Sequence, residues 1–424
     1  MEPIHPSRAE PARSDYDPNS LTVEQARQLI QQFLEPLTGG VSVDLADALY
    51  RTVAVEILSP GDVPPHDYSA MDGYAVHLAD VAHGPARLKI AGSAYAGHPY
   101  DDRVEPGTCV RIMTGALIPP GCDSVIKQEE VTVEDGVAIL VGGRRHPENI
   151  RRRGEDMRRG SPVLARGQLI RPVQMGLLAS LGLTEVQVYR KLKVVIFSTG
   201  DELRPPGTAL AAGQIYDSNR YTLLGMLHEL GGVEIQDRGN IRDDPEHIRR
   251  ALTEAAVQAD VIITSGGVSV GEADYVRQVL EEIGQVAFWK IAMKPGRPLA
   301  CGKIGACHFF GLPGNPVAVM VTFQQFVSDA LRIIMGRLAQ PSLTMQATCG
   351  SAIRKMSGRT EFQRGILSRN GAGWSVCATG DQGSGILSSM SLANCFIVLP
   401  LAQGNVEVGA MVEVQPFAGA FKSF

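Results

Sequence analysis

A multidomain α/β protein is expected from three features of the sequence: its length, a change of texture near residue 190, and strands that alternate with helices beyond it. At 424 residues the chain suits about three domains of ~150 residues each. Its 44% hydrophobic and 20% charged residues belong to a folded globular chain and exclude wholesale disorder.

Residues 1–20, MEPIHPSRAEPARSDYDPNS, are polar and Pro-rich and read as a disordered tail without the apolar core of a secretory signal. A helix is expected from Thr22, which forms a T-x-x-Q capping box with Gln25. Val23, Ala26, Leu29, Ile30, Phe33 and Leu37 then give it one apolar face. From 41 to about 160, short apolar runs such as CVRIM are separated by Gly, Pro and Asp clusters, which predicts a mostly β segment with long connections. A second helical pattern at 172–182 is expected to pair with the first helix across this insertion.

Beyond 190 the strand KVVIFS (193–198) precedes a helix over 219–230 that stops at Gly231-Gly232. Strand VEIQ leads to Asp244-Pro245, an N-cap followed by proline at the first helical position. Strand DVIITS (260–265), a helix from about 274 to 283, strands VAFWKI (286–291) and HFFGL (308–312), and a long helix after Pro316 complete the series. This alternation predicts a doubly wound, mostly parallel sheet covered on both faces. The stretch 341–424 returns to short strands with Gly-rich turns and reads as a small β domain.

Charge and cysteine usage narrow the function. The net charge is -5, so binding nucleic acid through the whole surface is disfavoured. No apolar run approaches the ~18 residues of a membrane span. Seven scattered cysteines with no C-x-x-C spacing fit a reducing cytoplasm and argue against a disulfide framework or a structural zinc. One basic stretch, RRHPENIRRRGEDMRR (144–159), holds seven arginines against three acids. It reads either as a solvated loop or as a site for a small anion.

In open α/β sheets ligands bind beyond the carboxyl ends of the strands. The loops expected there are rich in chemistry: STGDEL with Asp201 and Glu202, IRDDP with Asp243 and Asp244, and SGGVSVGEADY with Gly266, Gly267, Gly271, Glu272 and Asp274. KIAMKPGRP adds Lys290, Lys294 and Arg297, and PGNP adds Pro313 to Pro316. The glycines allow backbone N–H groups to close round a phosphate. Their spacing matches neither G-x-x-x-x-G-K-[ST] nor G-x-G-x-x-G, so a P-loop ATPase and a dinucleotide dehydrogenase are unsupported. Glu202, Asp243 and Asp274 beside a phosphate would repel it unless a divalent cation intervened, and Mg²⁺ suits that role. N-capping is the competing explanation for these acids: one of Asp243 and Asp244 caps a helix while the other is left to face a ligand. Lys290, Lys294 and Arg297 supply charge for an oxyanion or a leaving phosphate.

Taken together, SAMDGYA (69–75), RIMTGA (111–116), IRRRGEDM (150–157), STGDEL (198–203), IYDSNR (215–220), IRDDP (241–245), SGGVSVGEADY (265–275), FWKIAMKPGRP (288–298), GLPGNP (311–316), RTEFQRG (359–365) and GDQGSG (380–385) resemble the MoeA family. These are molybdopterin molybdenumtransferases, related in architecture to the C-terminal domain of gephyrin. The resemblance covers nearly all of the chain after the tail. It implies a helical dimerisation domain (21–40 plus 161–189) interrupted by an elongated β-rich domain (41–160), an α/β molybdopterin-binding domain (190–340) and a C-terminal β barrel (341–424). It also implies a cytoplasmic homodimer whose site joins the α/β rim of one subunit to the inserted domain of the other. The activity implied is insertion of molybdate into adenylylated molybdopterin with release of AMP, with the adenylyltransferase that makes this intermediate as a candidate partner.

On matching positions, the resemblance assigns Asp72, Thr114 and Asp156 to the inserted domain's share of the site. Glu202, Asp243 and Asp274 become the metal-binding acids, with Mg²⁺ as the cofactor. Lys290, Lys294, Pro313 and Pro316 are expected near the pterin phosphate and molybdate, with Arg364 and Ser384 from the C-terminal domain. Gly266, Gly267, Ser269 and Gly271 hold the phosphate end, and Arg297 keeps a charge where the family often has lysine. Tyr68, where asparagine is frequent, and Asp381 depart from the family pattern without removing a presumed catalytic group. Two other functions compete. An adenylyltransferase is opposed by the absence of a GGTG-type loop, and a catalytically weak scaffold or ligand-binding relative by the retention of every motif carboxylate and lysine.

Overall fold

Thr22 opens α1 (Val23–Gln32) through the expected reciprocal cap: its hydroxyl accepts from the Gln25 N–H at 3.2 Å, and the Gln25 side chain accepts from the Thr22 N–H at 2.9 Å. Val23, Ala26, Ile30 and Leu34 are buried in one cluster with residues of the α/β sheet. A buried Val, Ile or Leu contributes about 1.5–3 kcal/mol against ~1 kcal/mol for a cap, so packing decides where this helix lies. The single apolar stripe of α1 is thus committed to the α/β core of its own unit.

The computed structural model describes residues 17–267, 275–338, 342–371 and 373–417. It divides into two units: Ser42–Leu49 with Val55–Gln187, and the remainder, which carries α1 and everything from Val188 onward.

In the second unit, six strands form one sheet: β1 (Leu192–Thr199), β2 (Val233–Ile241), β3 (Val261–Ser265), β4 (Gln285–Lys290), β5 (Pro298–Ile304) and β6 (Cys307–Leu312), in the order β2-β1-β3-β6-β5-β4. The β2–β1, β1–β3 and β3–β6 pairs are parallel, and β5 is antiparallel to both its neighbours. Five strands thus share a direction and β5 alone opposes it. This reversed strand was not expected: PLACGKI is almost wholly buried, so it lacks the alternation that marks a half-exposed strand. Alternate residues of β1 enter different cores, as the doubly wound fold requires. Val194 and Ile196 face α1, α2 (Ser218–Leu230) and α5 (Pro316–Ile334), while Val195 and Phe197 face α3 (Pro245–Gln258) and α4 (Tyr275–Ile283). By length and composition α5 could cross a membrane, but it is largely buried here as a core helix.

The strands Met345–Cys349, Gly373–Ala378, Thr360–Asn370, Cys395–Leu399 and Met411–Pro416 pair in a closed ring, a five-stranded barrel around Val376, Ile397, Leu399 and Val414.

The other unit is β-rich, built on a six-stranded sheet in the order Ser124–Lys127, Gly73–Val76, Thr108–Ile112, Ala86–Ala94, Val137–Leu140, Val131–Glu134. It also contains the helix Pro172–Ser180, in which only Leu178 is buried.

Candidate active site

The five strands of common direction end at one edge of the sheet, and the loop after each lines a cavity of 720 Å³. Thr199, Gly200 and Glu202 follow β1, Asp243 follows β2, and Gly266 and Gly267 follow β3. Met293 to Arg297 follow β4, Pro313 to Asn315 follow β6, and the C-terminal region adds Arg359, Gln382, Gly383 and Ser384.

Gly266 and Gly267 have φ +89° and +67°. A Cβ on Gly266 would lie 2.7 Å from the Thr199 carbonyl oxygen, and one on Gly267 would lie 2.3 Å from Val276 Cγ2. Only glycine lets β1 and β3 approach so closely at the cavity wall. The Gly266 N–H is already committed to the Leu312 carbonyl at 3.1 Å, so it does not join a phosphate cradle as expected. Two polar atoms of the cavity residues, Thr199 Oγ1 and Arg297 Nε, are buried and find no hydrogen-bond partner among the described residues. Such orphans are rare unless a ligand or water completes them.

The aspartate pair divides its work. Asp244 caps α3, its carboxylate accepting from the His247 N–H at 3.0 Å, and Asp243 is left facing the cavity. Burial holds the Asp243 carboxyl above the usual range, and the neighbouring Asp201 and Glu202 add to the effect. Asp201 also accepts from the Asp243 backbone N–H at 3.4 Å. Of these three acids only Asp243 is half-buried; Asp201 and Glu202 are exposed. Among the described residues no three His, Cys, Asp or Glu side chains group closely enough to hold a metal ion. The third expected acid, Asp274, lies outside the described residues with Ser269 and Gly271.

Cationic groups stand on the KPGRP side. Lys294 lines the cavity with its side chain half exposed, and Arg297 pairs through Nη2 with Asp17. Lys290, at the end of β4, and Pro316, at the start of α5, are not among the lining residues. Nor is Arg364, which is 1% exposed. Its Nε donates to Ser389 Oγ at 2.9 Å, Nη1 to the Gln382 carbonyl at 3.1 Å, and Nη2 to the carbonyls of Asp381 and Gly383 at 3.2 and 2.9 Å. Arg364 therefore shapes the loop that presents Ser384 instead of facing the cavity itself.

Two asparagines escaped the sequence analysis although both sit in recognised motifs. Asn219 Nδ2 donates to Ser265 Oγ at 2.8 Å and to the Gly314 carbonyl at 2.7 Å, tying the end of β3 to the PGNP loop. Asn315 Nδ2 donates to Ser384 Oγ at 3.0 Å, tying that loop to the GDQGSG segment. Polarity within a recognised motif was the only signal for either, IYDSNR for Asn219 and GLPGNP for Asn315.

The β-rich unit assembles its own cluster. Ile150 pairs with Ser69 and the Gly115 N–H reaches the Ser69 carbonyl at 2.8 Å, so the SAMDGYA, RIMTGA and IRRRGEDM segments adjoin. Thr114 donates to Asp72 Oδ1 from both its backbone N–H and its hydroxyl, each at 2.7 Å. These bonds hold the Asp72 carboxyl below its ordinary range. Asp156 is exposed on the adjoining loop. In the arginine-rich stretch, Arg144 pairs with Glu130 and Glu148, Arg152 with Asp67 at 2.7 Å, and Arg153 with Asp62 at 2.6 Å. Three of its seven arginines are thus paired locally.

Comparison with known proteins agrees across all three regions. Residues 21–182 match the MoeA N-terminal region (domain I and II), 195–333 the probable molybdopterin binding domain, and 346–417 the MoeA C-terminal region (domain IV). The molybdopterin molybdenumtransferase of Haemophilus influenzae is 45% identical over 402 residues, covering 94% of this chain and 98% of that one. Molybdopterin molybdenumtransferase 2 of Mycobacterium tuberculosis is 33% identical over 387 residues, covering 88% and 94%. A crystal structure of the molybdopterin biosynthesis MoeA protein from Pyrococcus horikoshii matches with a TM-score of 0.82 at 28% identity, covering 94% of this chain and 100% of that one. With its three regions matched in turn and 45% identity to a family member along nearly its whole length, the chain belongs to the MoeA family of molybdopterin molybdenumtransferases.

Proposed function

We propose that the cavity takes adenylylated molybdopterin and molybdate, that the phosphoanhydride is cleaved and AMP released, and that molybdenum is left on the dithiolene. The observation that carries this reading is the convergence of five strand-end loops and a barrel-side loop on one cavity, with Glu202 and Asp243 among its acids and Lys294 and Arg297 among its cations. A substrate with several phosphate charges and a tetrahedral oxyanion needs both.

Glu202, Asp243 and Asp274 would hold Mg²⁺, which when bound offsets charge on the phosphoanhydride oxygens. Lys294 and Arg297 orient the anions, and Ser384, fixed by Asn315, offers a hydroxyl to one of them. Gly266 and Gly267 let the ligand approach the sheet edge closely. Because AMP is a good leaving group, most of the protein's contribution is positioning.

The Asp72–Thr114 pair and Asp156 belong in this reading to a homodimer, in which the β-rich unit of one copy serves the rim of the other. Support comes from the apolar helix Pro172–Ser180, where Val173 is 77% exposed. A cytoplasmic setting is supported by seven free cysteines. An adenylyltransferase must supply the substrate.

The test is AMP release from the adenylylated pterin by purified protein. It should require both molybdate and a divalent cation. Release that ignores a chelator removes the metal, and no release under any condition leaves the scaffold reading.

A further inference from the structure

Lys294 is held at the cavity by a carboxylate that the sequence analysis did not single out. Met293–Lys294 runs parallel to the barrel strand Thr360–Asn370, with Met293 opposite Thr360 and Lys294 opposite Glu361. Glu361 is 4% exposed. Its Oε2 accepts from Gln363 Nε2 at 2.7 Å, and its Oε1 lies 3.7 Å from Lys294 Nζ. A carboxylate with so little access to water requires hydrogen bonds and an opposite charge. Gln363 supplies the first, and Lys294, half exposed on the cavity side, supplies the second.

We propose that Glu361 is a positioning residue for the transfer reaction, restraining the Lys294 ammonium where it meets a tetrahedral anion, either molybdate or a substrate phosphate. This rests on the transferase reading above. Two effects oppose each other. A free lysine side chain loses rotamer entropy when it is fixed on a ligand, and restraint by Glu361 removes part of that cost beforehand. The carboxylate also repels the arriving anion, but it is buried and does not line the cavity, and the half-exposed lysine admits water that screens the repulsion. Restraint therefore outweighs repulsion.

Glu361→Gln preserves shape and an acceptor for Gln363 while removing the charge. In the full-length protein it should lower kcat/KM for AMP release about tenfold, the equivalent of losing most of that restraint. In a Lys294→Met background it should cause no further loss, since the residue acts only through Lys294. Separate titrations of molybdate and adenylylated pterin identify the anion as the one whose KM rises. Glu361→Asp, which keeps the charge but withdraws it by one methylene, should fall in the same direction and also be silent without Lys294. A rise in kcat/KM, an unchanged value, or additive losses in the double variant overturns the proposal alone. Wild-type protein that releases no AMP overturns the transferase reading and this proposal with it.

Discussion

Asp72 and Asp243 are both acids that the sequence places in the site, yet the structure treats them in opposite ways. Asp72, in the β-rich unit, receives two hydrogen bonds from Thr114 and has its carboxyl held below the ordinary range. Asp243, at the sheet edge, is partly buried beside Asp201 and Glu202 and has its carboxyl pushed above it. The first carboxylate is content as an anion with the protein alone. The second has its charge opposed by burial and by two neighbouring acids. Residue type does not separate the two; neighbours do.

The strongest challenge to this contrast is to remove the crowded acids. Glu202→Gln and Asp243→Asn should each lower AMP release by about a hundredfold or more, as loss of a transition-state charge contact does, while the fold survives. Activity near wild type would return both to a structural role. Next in size is the scaffold of the rim. Arg364→Ala strands one buried and three part-buried acceptors and should cost about 2–4 kcal/mol in urea unfolding. A smaller cost would mean that the 381–384 loop holds its shape unaided. Gly267→Ala forces a Cβ onto Val276 at φ +67° and should cost about 1–3 kcal/mol in the same measurement.

The two aspartates also give opposite pH signatures. The raised Asp243 contributes stability that is fully present below its ordinary value of 3.8 and is lost as pH rises through its folded value. Saturating Mg²⁺ should abolish that loss. The depressed Asp72 contributes stability present above 3.8 and lost as pH falls through its folded value. Unfolding of Asp243→Asn and Asp72→Asn across this range should show each dependence vanish separately; one common sign for both would break the comparison. Smallest of all, Arg153→Ala in the arginine-rich stretch should cost less than ~1 kcal/mol, as exposed ion pairs do, and leave AMP release unchanged.

Much of this arrangement was legible in the sequence. The T-x-x-Q box marked the start of α1, and Asp-Asp-Pro foretold one capping and one outward acid, because local hydrogen-bonding rules act over three or four residues. The convergence of the loops after β1, β2, β3, β4 and β6 followed from strand–helix alternation, which puts strand ends on one edge. Long-range choices were not legible. The stripe of α1 fits any apolar partner, so its burial against the α/β core could not be chosen from spacing. The resemblance assigned Arg364 to the ligand, and an arginine's position in a motif does not reveal that its donors are spent on a neighbouring loop. Glu361 and Asn219 went unnoticed for the converse reason: their importance lies in what folding brings beside them.

Titration of the protein with Mn²⁺, followed by the loss of free-ion electron paramagnetic resonance signal, reports directly on whether the crowded acids form a cation site. Wild-type protein should take up the ion, release it as pH falls toward the raised value of Asp243, and lose the uptake in Asp243→Asn but not in Asp72→Asn. Equal uptake by wild type and Asp243→Asn, or none by either, would contradict the account.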